Sequence, residues 1–265
     1  MRHTGIILLC FILSCTNSTR DEEEKAPTEN ISAEATLKNE VNKYPDSLLL
    51  LENLLGYYIN AQNYDAALKA VNEAIQKDSS NPGLFDMQSA LFIAKGDTTA
   101  AINSLEKAIE IYPNPPFIIS LGALYAQTRN PLALEMADAL LIGNKARAEK
   151  EAYFIKGLYY SFSDQKEKSI PFFDNAIRTD FQFMEAYLEK ALALYVLKKY
   201  KESVEVLNRA VTLQNNFDRG YFYLGRSYEK LNKKEEAMQA YEKALMYDPN
   251  YEEAREALAR LTAGS

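Results

Sequence analysis

The sequence has no tryptophan, a single histidine at His3, and only two cysteines, Cys10 and Cys15. All three residues fall within the first fifteen positions, so the rest of the chain offers neither imidazole nor thiol. That absence excludes, from the body of the chain, Cys/His zinc sites, thiolate or imidazole nucleophiles and an internal disulfide. Carboxylates, lysines and tyrosines are what remain for chemistry, and no cofactor or metal is expected. Positive charge is the minority sign, with 30 Lys and Arg against 37 Asp and Glu and a pI near 5.1. Such a surface repels phosphate backbones, which argues against a nucleic-acid partner. Glycine and proline are also scarce, at 10 and 9, while Ala, Leu, Glu and Lys are plentiful. Few turns needing special backbone angles and many good helix formers predict an all-α chain.

Long hydrophobic runs are lacking too. The one unbroken apolar stretch near the start covers residues 6–13, behind a short lead containing Arg2 and His3, and ends at Ser14 and Cys15. At 1.5 Å per residue it spans about 12 Å, far short of the ~30 Å hydrocarbon core, so it reads as a secretion leader and not as a membrane span. Ile12, Leu13, Ser14 and Cys15 resemble the lipobox of bacterial lipoproteins, with Leu13 standing where that pattern prefers a small residue. The resemblance implies cleavage before Cys15, acylation of Cys15 and a lasting membrane anchor. Thr16 follows the cysteine where Asp would favour retention at the inner membrane, so outer-membrane placement is implied, on its periplasmic face or exposed at the cell surface. The acidic run 21–24 is similar to export tags on surface lipoproteins of Bacteroidota. Residues 1–14 are thus expected to be a signal peptide. Residues 15–30, with no large apolar side chain after Cys15, are expected to form an unfolded acidic tether reaching roughly 20 Å.

From there to the end the dominant signal is a period of 34 residues. Ala74 is followed at that step by Ala108, Ile142, Ala176, Ala210 and Ala244, and Tyr153, Tyr187 and Tyr221 mark another column. Each unit carries two stretches with apolar residues three and four apart, the pattern of two amphipathic helices. Small residues recur where such helices approach closely, at Gly157, Ala191 and Gly225 in the first helix and Ala67, Ala101, Ser169, Ser203 and Ala237 in the second. One helix pair cannot cover both of its apolar faces, so the units must stack. In the last unit Tyr221, Leu224, Gly225, Tyr228, Ala237, Tyr241, Ala244 and Pro249 match the signature places of the tetratricopeptide repeat, and the chain resembles that family over six units. The units fall at about 48–81, 82–115, 116–149, 150–183, 184–217 and 218–251. The implied architecture for 31–265 is a right-handed superhelical α-solenoid of about fourteen helices. A half-repeat at Ala33, Leu37 and Val41 would precede the hairpins, and a capping helix in 252–265 would follow them. In the third unit the columns slip by one or two places and residues 143–150 restore the phase, which predicts an irregular joint there.

The resemblance also implies that the first helix of each unit lines a concave groove. The Lys/Asn/Arg clamp for acidic chaperone tails is absent, since Glu52, Asn53 and Gly56 occupy its places. In the middle of the groove the register puts Phe154, Leu158 and Phe162, then Leu188, Leu192 and Tyr195, with Arg219, Phe222 and Arg226 beside them. These nine residues are the candidate partner-binding site: an apolar surface for a helix or extended segment, flanked by arginines for an acidic group. The bland reading of the same pattern is core packing, because aromatic residues at helical spacing are more often core than ligand site, and tight stacking would bury several of these against neighbouring units. The functional expectation is a membrane-anchored scaffold or adaptor in a cell-envelope complex, without catalysis. Similar lipoproteins include secretin pilotins, a component of the barrel-assembly machinery and adaptors of peptidoglycan hydrolases. The alternatives are a carboxylate-based cell-wall glycan hydrolase, which would need two carboxyl groups about 5 to 10 Å apart, and a ligand-binding or self-assembling surface lipoprotein.

Overall fold

The structure, a computed structural model, describes residues 32–263, and for 143–147 the backbone alone. The leader, Cys15, the acidic run 21–24 and the tether lie outside the described residues. Among the described residues every regular element is a helix. A lone helix α1 (Ala33–Lys43) precedes the hairpins α2 (Leu48–Asn60) with α3 (Tyr64–Lys77), and α4 (Pro82–Lys95) with α5 (Thr98–Ile111). Next come α6 (Pro115–Gln127), α7 (Leu132–Phe162) and α8 (Lys166–Thr179), then the pairs α9 (Met184–Val196) with α10 (Tyr200–Leu213) and α11 (Asp218–Lys230) with α12 (Lys234–Tyr247). Helix α13 (Glu252–Ala263) closes the array.

Helix α7 holds the irregular joint. Its 31 residues would form a rod about 46 Å long if straight, placing Asp138 and Lys156 about 27 Å apart. Instead the Lys156 Nζ lies 2.6 Å from Asp138 Oδ1, and a Cβ on Gly122 would touch both Met136 and Ile155. The chain therefore doubles back between Asp138 and Lys156 while its backbone stays helical. The two arms of α7 serve as the second helix of the third hairpin and the first helix of the fourth. Fourteen helical arms thus occupy thirteen helices among the described residues, and the all-helical solenoid expected from the period is present.

Local signals explain where the helices begin and turn. Ser47, Asn63, Asn81 and Asp97 accept hydrogen bonds from the N–H groups of Leu50, Ala66, Gly83 and Ala100, satisfying donors left free in the first turns. Pro82 and Pro115 occupy first helical positions, where a missing N–H costs nothing. The turn inside each of the six hairpins contains one residue in the left-handed region: Gln62, Gly96, Arg129, Asp164, Lys198 and Asn232, with φ between 55° and 78°. Only the third departs from the step of 34, by one residue, which is the same slip seen in the sequence.

Packing follows the small-residue columns. A Cβ placed on Gly157 would lie 2.5 Å from the Phe173 ring, and one on Gly225 would lie 2.6 Å from the Tyr241 ring. In the fifth unit the same places hold Ala191 and Leu207, so the smaller partner goes with the larger neighbour. The buried residues form three clusters along the array, and Phe92 and Phe154 each pack against two of them, which joins the core into one ribbon. Helix α2 reaches past its partner to α4, and α9 reaches both α7 and α11. Among the described residues second helices make no comparable contact with one another. An array whose units approach more closely along one side curves toward it, so the first helices line the inner face.

Candidate protein-binding groove

The nine residues singled out from the sequence divide into two groups. Leu158, Leu188 and Phe222 are core residues, 0%, 1% and 8% exposed, and a partner cannot reach them without unpacking the hairpins. Phe222 packs on Tyr241 and Tyr251 at ring separations of 5.8 and 4.8 Å. The correction has a simple cause: in a tightly stacked array the fifth and ninth places of a first helix face the neighbouring unit as much as the groove. Phe154 and Leu192 are half-buried and serve chiefly as packing. Phe154 sits between Phe173 and Phe183, with centroids 5.8 and 4.9 Å away. Phe162, at the end of α7, is half-buried against the central core cluster.

Tyr195, Arg219 and Arg226 remain on the inner face. Arg226 is half-buried, with its guanidinium 5.2 Å from the Tyr195 ring, 5.6 Å from Tyr223 and 5.9 Å from Phe222. Three rings around one cation lower its cost of leaving bulk water. Tyr195 is fixed in turn by an edge contact with Tyr200 at 5.2 Å. Arg219 is exposed one helical turn before Tyr223 on the same stripe of α11. Among the described residues no carboxylate forms an ion pair with either arginine.

The groove also holds polar residues that the sequence reading passed over. Glu189 of α9 is pushed above the ordinary carboxylate range, because burial disfavours its charge more than Arg219 and Lys166 favour it. Lys166 is itself depressed by burial and donates to Ser161 Oγ at 2.8 Å. Glu189 and Tyr223 share one column of the 34-residue period, and each stands three residues before a groove position, Leu192 and Arg226. That spacing was the signal that could have found them. The groove ends at α13, where Tyr251 is raised well above the usual phenol range, first by burial and then by Tyr223 and Glu253. Arg260 of α13 donates to both carboxylate oxygens of Glu229 at 2.8 Å, and Glu229 also accepts from the Tyr241 hydroxyl. The end helix is thereby tied to the inner face of the last hairpin.

Chemically, this arrangement offers a cation held on aromatic faces, a second exposed cation and a partly desolvated acid. No group of three or more metal-ligating side chains occurs among the described residues, and no helix there is long and apolar enough to cross a membrane.

Models of the tetratricopeptide repeat match residues 86–115, 150–183, 185–217 and 218–251. A curated tetratricopeptide-repeat-containing protein of Methanocaldococcus jannaschii is 25% identical over 200 residues, which is 70% of this chain but only 34% of that protein. The chain thus spans about a third of that relative's length. Among solved structures, a tetratricopeptide repeat protein from Parabacteroides merdae superposes with a TM-score of 0.69 at 21% identity, covering 87% of this chain and 91% of the other. PilW, described as a widely conserved type IV pilus biogenesis factor, superposes with a TM-score of 0.63 at 15% identity, covering 79% and 97%. At these identities the likeness concerns the fold.

Proposed function

The chain carries tetratricopeptide repeats, and on that premise we propose that it is a scaffold that binds a protein partner along its inner face, without catalysis, at a bacterial cell envelope. The observation that carries the reading is the pair of groove arginines, neither of which forms an ion pair with a carboxylate among the described residues; burial pushes the nearby Glu189 toward its neutral form in spite of Arg219. Arg226 is held on three aromatic rings and Arg219 stands in the open one turn away. A folded body gains little by gathering two like charges on one concave strip unless an anion completes it. The partner segment therefore presents an acidic group to Arg219 and Arg226 and an apolar one to Tyr195 and the edges of Leu192 and Phe162. This narrows the site expected from sequence, with the three core residues removed and Tyr223 added.

The anchoring part of the proposal rests on the sequence. Cys15 is the lipid-bearing residue, the outer membrane is the destination, and the tether lets the solenoid stand off the bilayer. The Bacteroidota type of lipoprotein belongs to this reading and is supported by the acidic run 21–24. A glycan hydrolase is the weaker alternative, because the two first-helix acids displaced upward by burial, Asp86 of α4 and Glu189 of α9, lie three hairpins apart, and the charged neighbours of Glu189 are Arg219 and Lys166, not a second carboxylate.

Affinity capture of the lipidated protein from solubilised membranes, with identification of what is retained, tests the scaffold. The captured protein is expected to be lost from Arg219→Glu with Arg226→Glu, two changes at accessible side chains that leave helical circular dichroism intact. Equal capture by the double variant would refute the groove assignment. Separately, Cys15→Ser is expected to move the protein from the detergent phase to the aqueous phase on phase partitioning.

A further inference from the structure

Unpaired charge on the first helices is segregated along the array. In the first helices of the opening five hairpins, α2, α4, α6, the second arm of α7 and α9, every lysine whose side chain is described is engaged. Lys95 Nζ lies 2.6 Å from Asp65, Lys150 2.7 Å from Asp180, Lys156 2.6 Å from Asp138 and Lys190 2.6 Å from Asp174, each a carboxylate on a second helix or at its end. Four acids of the same first helices, Glu52, Asp86, Glu185 and Glu189, form no ion pair among the described residues. The sixth first helix reverses the sign. Arg219, Arg226 and Lys230 of α11 stand without a carboxylate, while its acids are Glu229, taken by Arg260, and Asp218 in the first turn.

Two of the four acids are held against their own solvation. Asp86 and Glu189 are the two carboxyls that burial pushes upward among the described residues, and neither accepts a hydrogen bond there. Both keep accessible surface, since the unpartnered polar atoms that are fully sealed are those of Ser89, Glu151 and Tyr187. The repeat shows that the fold does not ask for these acids. The place of Glu189 is held by Asn53, Met87, Ile155 and Tyr223 in other hairpins, and that of Asp86 by Phe154, Leu188 and Phe222 farther along. A half-buried acid without a partner costs stability, so one kept at a place where apolar residues serve calls for a counter-charge.

The cations that act on Glu189 do not supply it. Lys166 donates to Ser161 Oγ at 2.8 Å, and Arg219 acts on Glu189 without forming an ion pair. Once a partner's acid is seated on Arg219, the favourable field of that arginine is offset, and Glu189 is left with less than before. We infer that the bound segment is dipolar, with an acidic residue on Arg219 and Arg226, a basic residue on Glu189 and a second base toward Asp86. This rests on the groove reading above and adds the order of charge along the segment. Neighbouring first helices lie about 10 Å apart, so the acid and the nearer base are separated by about three residues of extended chain or about two turns of helix. Asp86 and Glu189, three hairpins apart, are separated by about 30 Å, and an extended segment of about thirteen residues covers the strip. A uniformly acidic segment would meet like charges at Glu189 and Asp86, and a uniformly basic one would meet them at Arg219 and Arg226.

Panning a displayed library of random sixteen-residue peptides on the purified protein tests the inference, with enriched peptides then labelled with fluorescein and titrated by anisotropy. Enriched peptides are expected to carry acidic and basic residues toward opposite ends. Glu189→Gln should weaken such a peptide at least tenfold, and Arg219→Glu with Arg226→Glu should abolish its binding, both with unchanged circular dichroism. Replacing the peptide's nearer base by glutamate should cost the wild type at least tenfold and cost Glu189→Lys little. Peptides that are acidic throughout, and that bind Glu189→Gln as well as the wild type, would overturn the charge order and leave the groove in place. Peptides indifferent to Arg219→Glu with Arg226→Glu, or a library from which none is enriched, would overturn the groove reading and this inference together.

Discussion

A side chain in the left-handed backbone region costs about 1 to 2 kcal/mol against glycine, because its Cβ crowds the neighbouring carbonyl. Five of the six hairpin turns accept that cost, at Gln62, Arg129, Asp164, Lys198 and Asn232, and only the second avoids it with Gly96. Lys198→Gly should therefore stabilise the protein by about 0.5 to 1 kcal/mol after the entropy of a glycine in the unfolded chain is subtracted. Gly96→Ala should destabilise it by about 1 kcal/mol although nothing would touch the added methyl, since the strain lies in the backbone alone. Urea denaturation of both variants checks the pair. Glu189 gives a prediction about pH. Its folded pKa is raised above the unfolded value, so the native state binds the extra proton, and stability falls as pH rises from the ordinary carboxylate value through the raised one. Glu189→Gln should flatten that part of the stability profile and leave the variant the more stable of the two at neutral pH. Unfolding midpoints measured from pH 4 to 8 would show it, and parallel profiles would contradict it. These cases mark what the sequence can tell at this scale. The period carried the spacing of the turns, with one slip in the third hairpin, but it could not say whether Leu158 or Tyr195 faces water, because that depends on how closely the next hairpin approaches.

At the scale of the helix pair, the complementary sizes of facing residues carry the specificity. Glycine faces an aromatic ring in the fourth and sixth hairpins, at Gly157 with Phe173 and Gly225 with Tyr241, and alanine faces leucine in the fifth, at Ala191 with Leu207. The sequence showed small residues in one column and large ones in another. It did not show that the two columns trade volume within a hairpin, which needs the contact itself. Gly157→Ala gains about 1 kcal/mol of helix propensity but drives a methyl into the Phe173 ring at 2.5 Å. Overpacking of that kind costs about 1 to 3 kcal/mol, so the net effect is expected between about zero and a loss of about 2 kcal/mol. Phe173→Leu alone leaves a cavity and also destabilises. The double variant rebuilds the pairing of the fifth hairpin, so its loss should fall short of the sum of the singles by about 0.5 to 2 kcal/mol in a denaturation cycle. Strict additivity would mean that the columns are independent. Helix α7 teaches the converse. The slip in the third unit was legible as a loss of phase, whereas the way it is absorbed, by a helical backbone that doubles back between Asp138 and Lys156, was not.

For the whole molecule, the apolar ribbon has two ends, and each is covered differently. At the start, α1 is fastened by Glu34, which accepts from the Tyr58 hydroxyl at 2.9 Å and pairs with Lys38 at 2.7 Å, both near the surface. At the far end, α13 lays Ala254 and Ala257 on the last hairpin and joins it through Arg260 and Glu229. In an array where each unit touches only its neighbours, stability is a sum of unit and interface contributions, and the end units depend on their caps. A chain ending at residue 250 should therefore lose stability out of proportion to its missing length, because Phe222 and Tyr241 lose the cover that Tyr251 and the cap provide in the same cluster. A chain ending at 217 should be weaker again, since the outer flank of the fifth hairpin, including Leu188 and Leu207, then faces water. Urea unfolding of the three chains is expected to give midpoints that fall step by step, with slopes that shrink as less surface is exposed on unfolding. If the chain ending at 217 proved as stable as the full one, the hairpins would be independent domains. The inner face would then not be a single surface, and a partner could not be read by Tyr195 on one hairpin and Arg226 on the next.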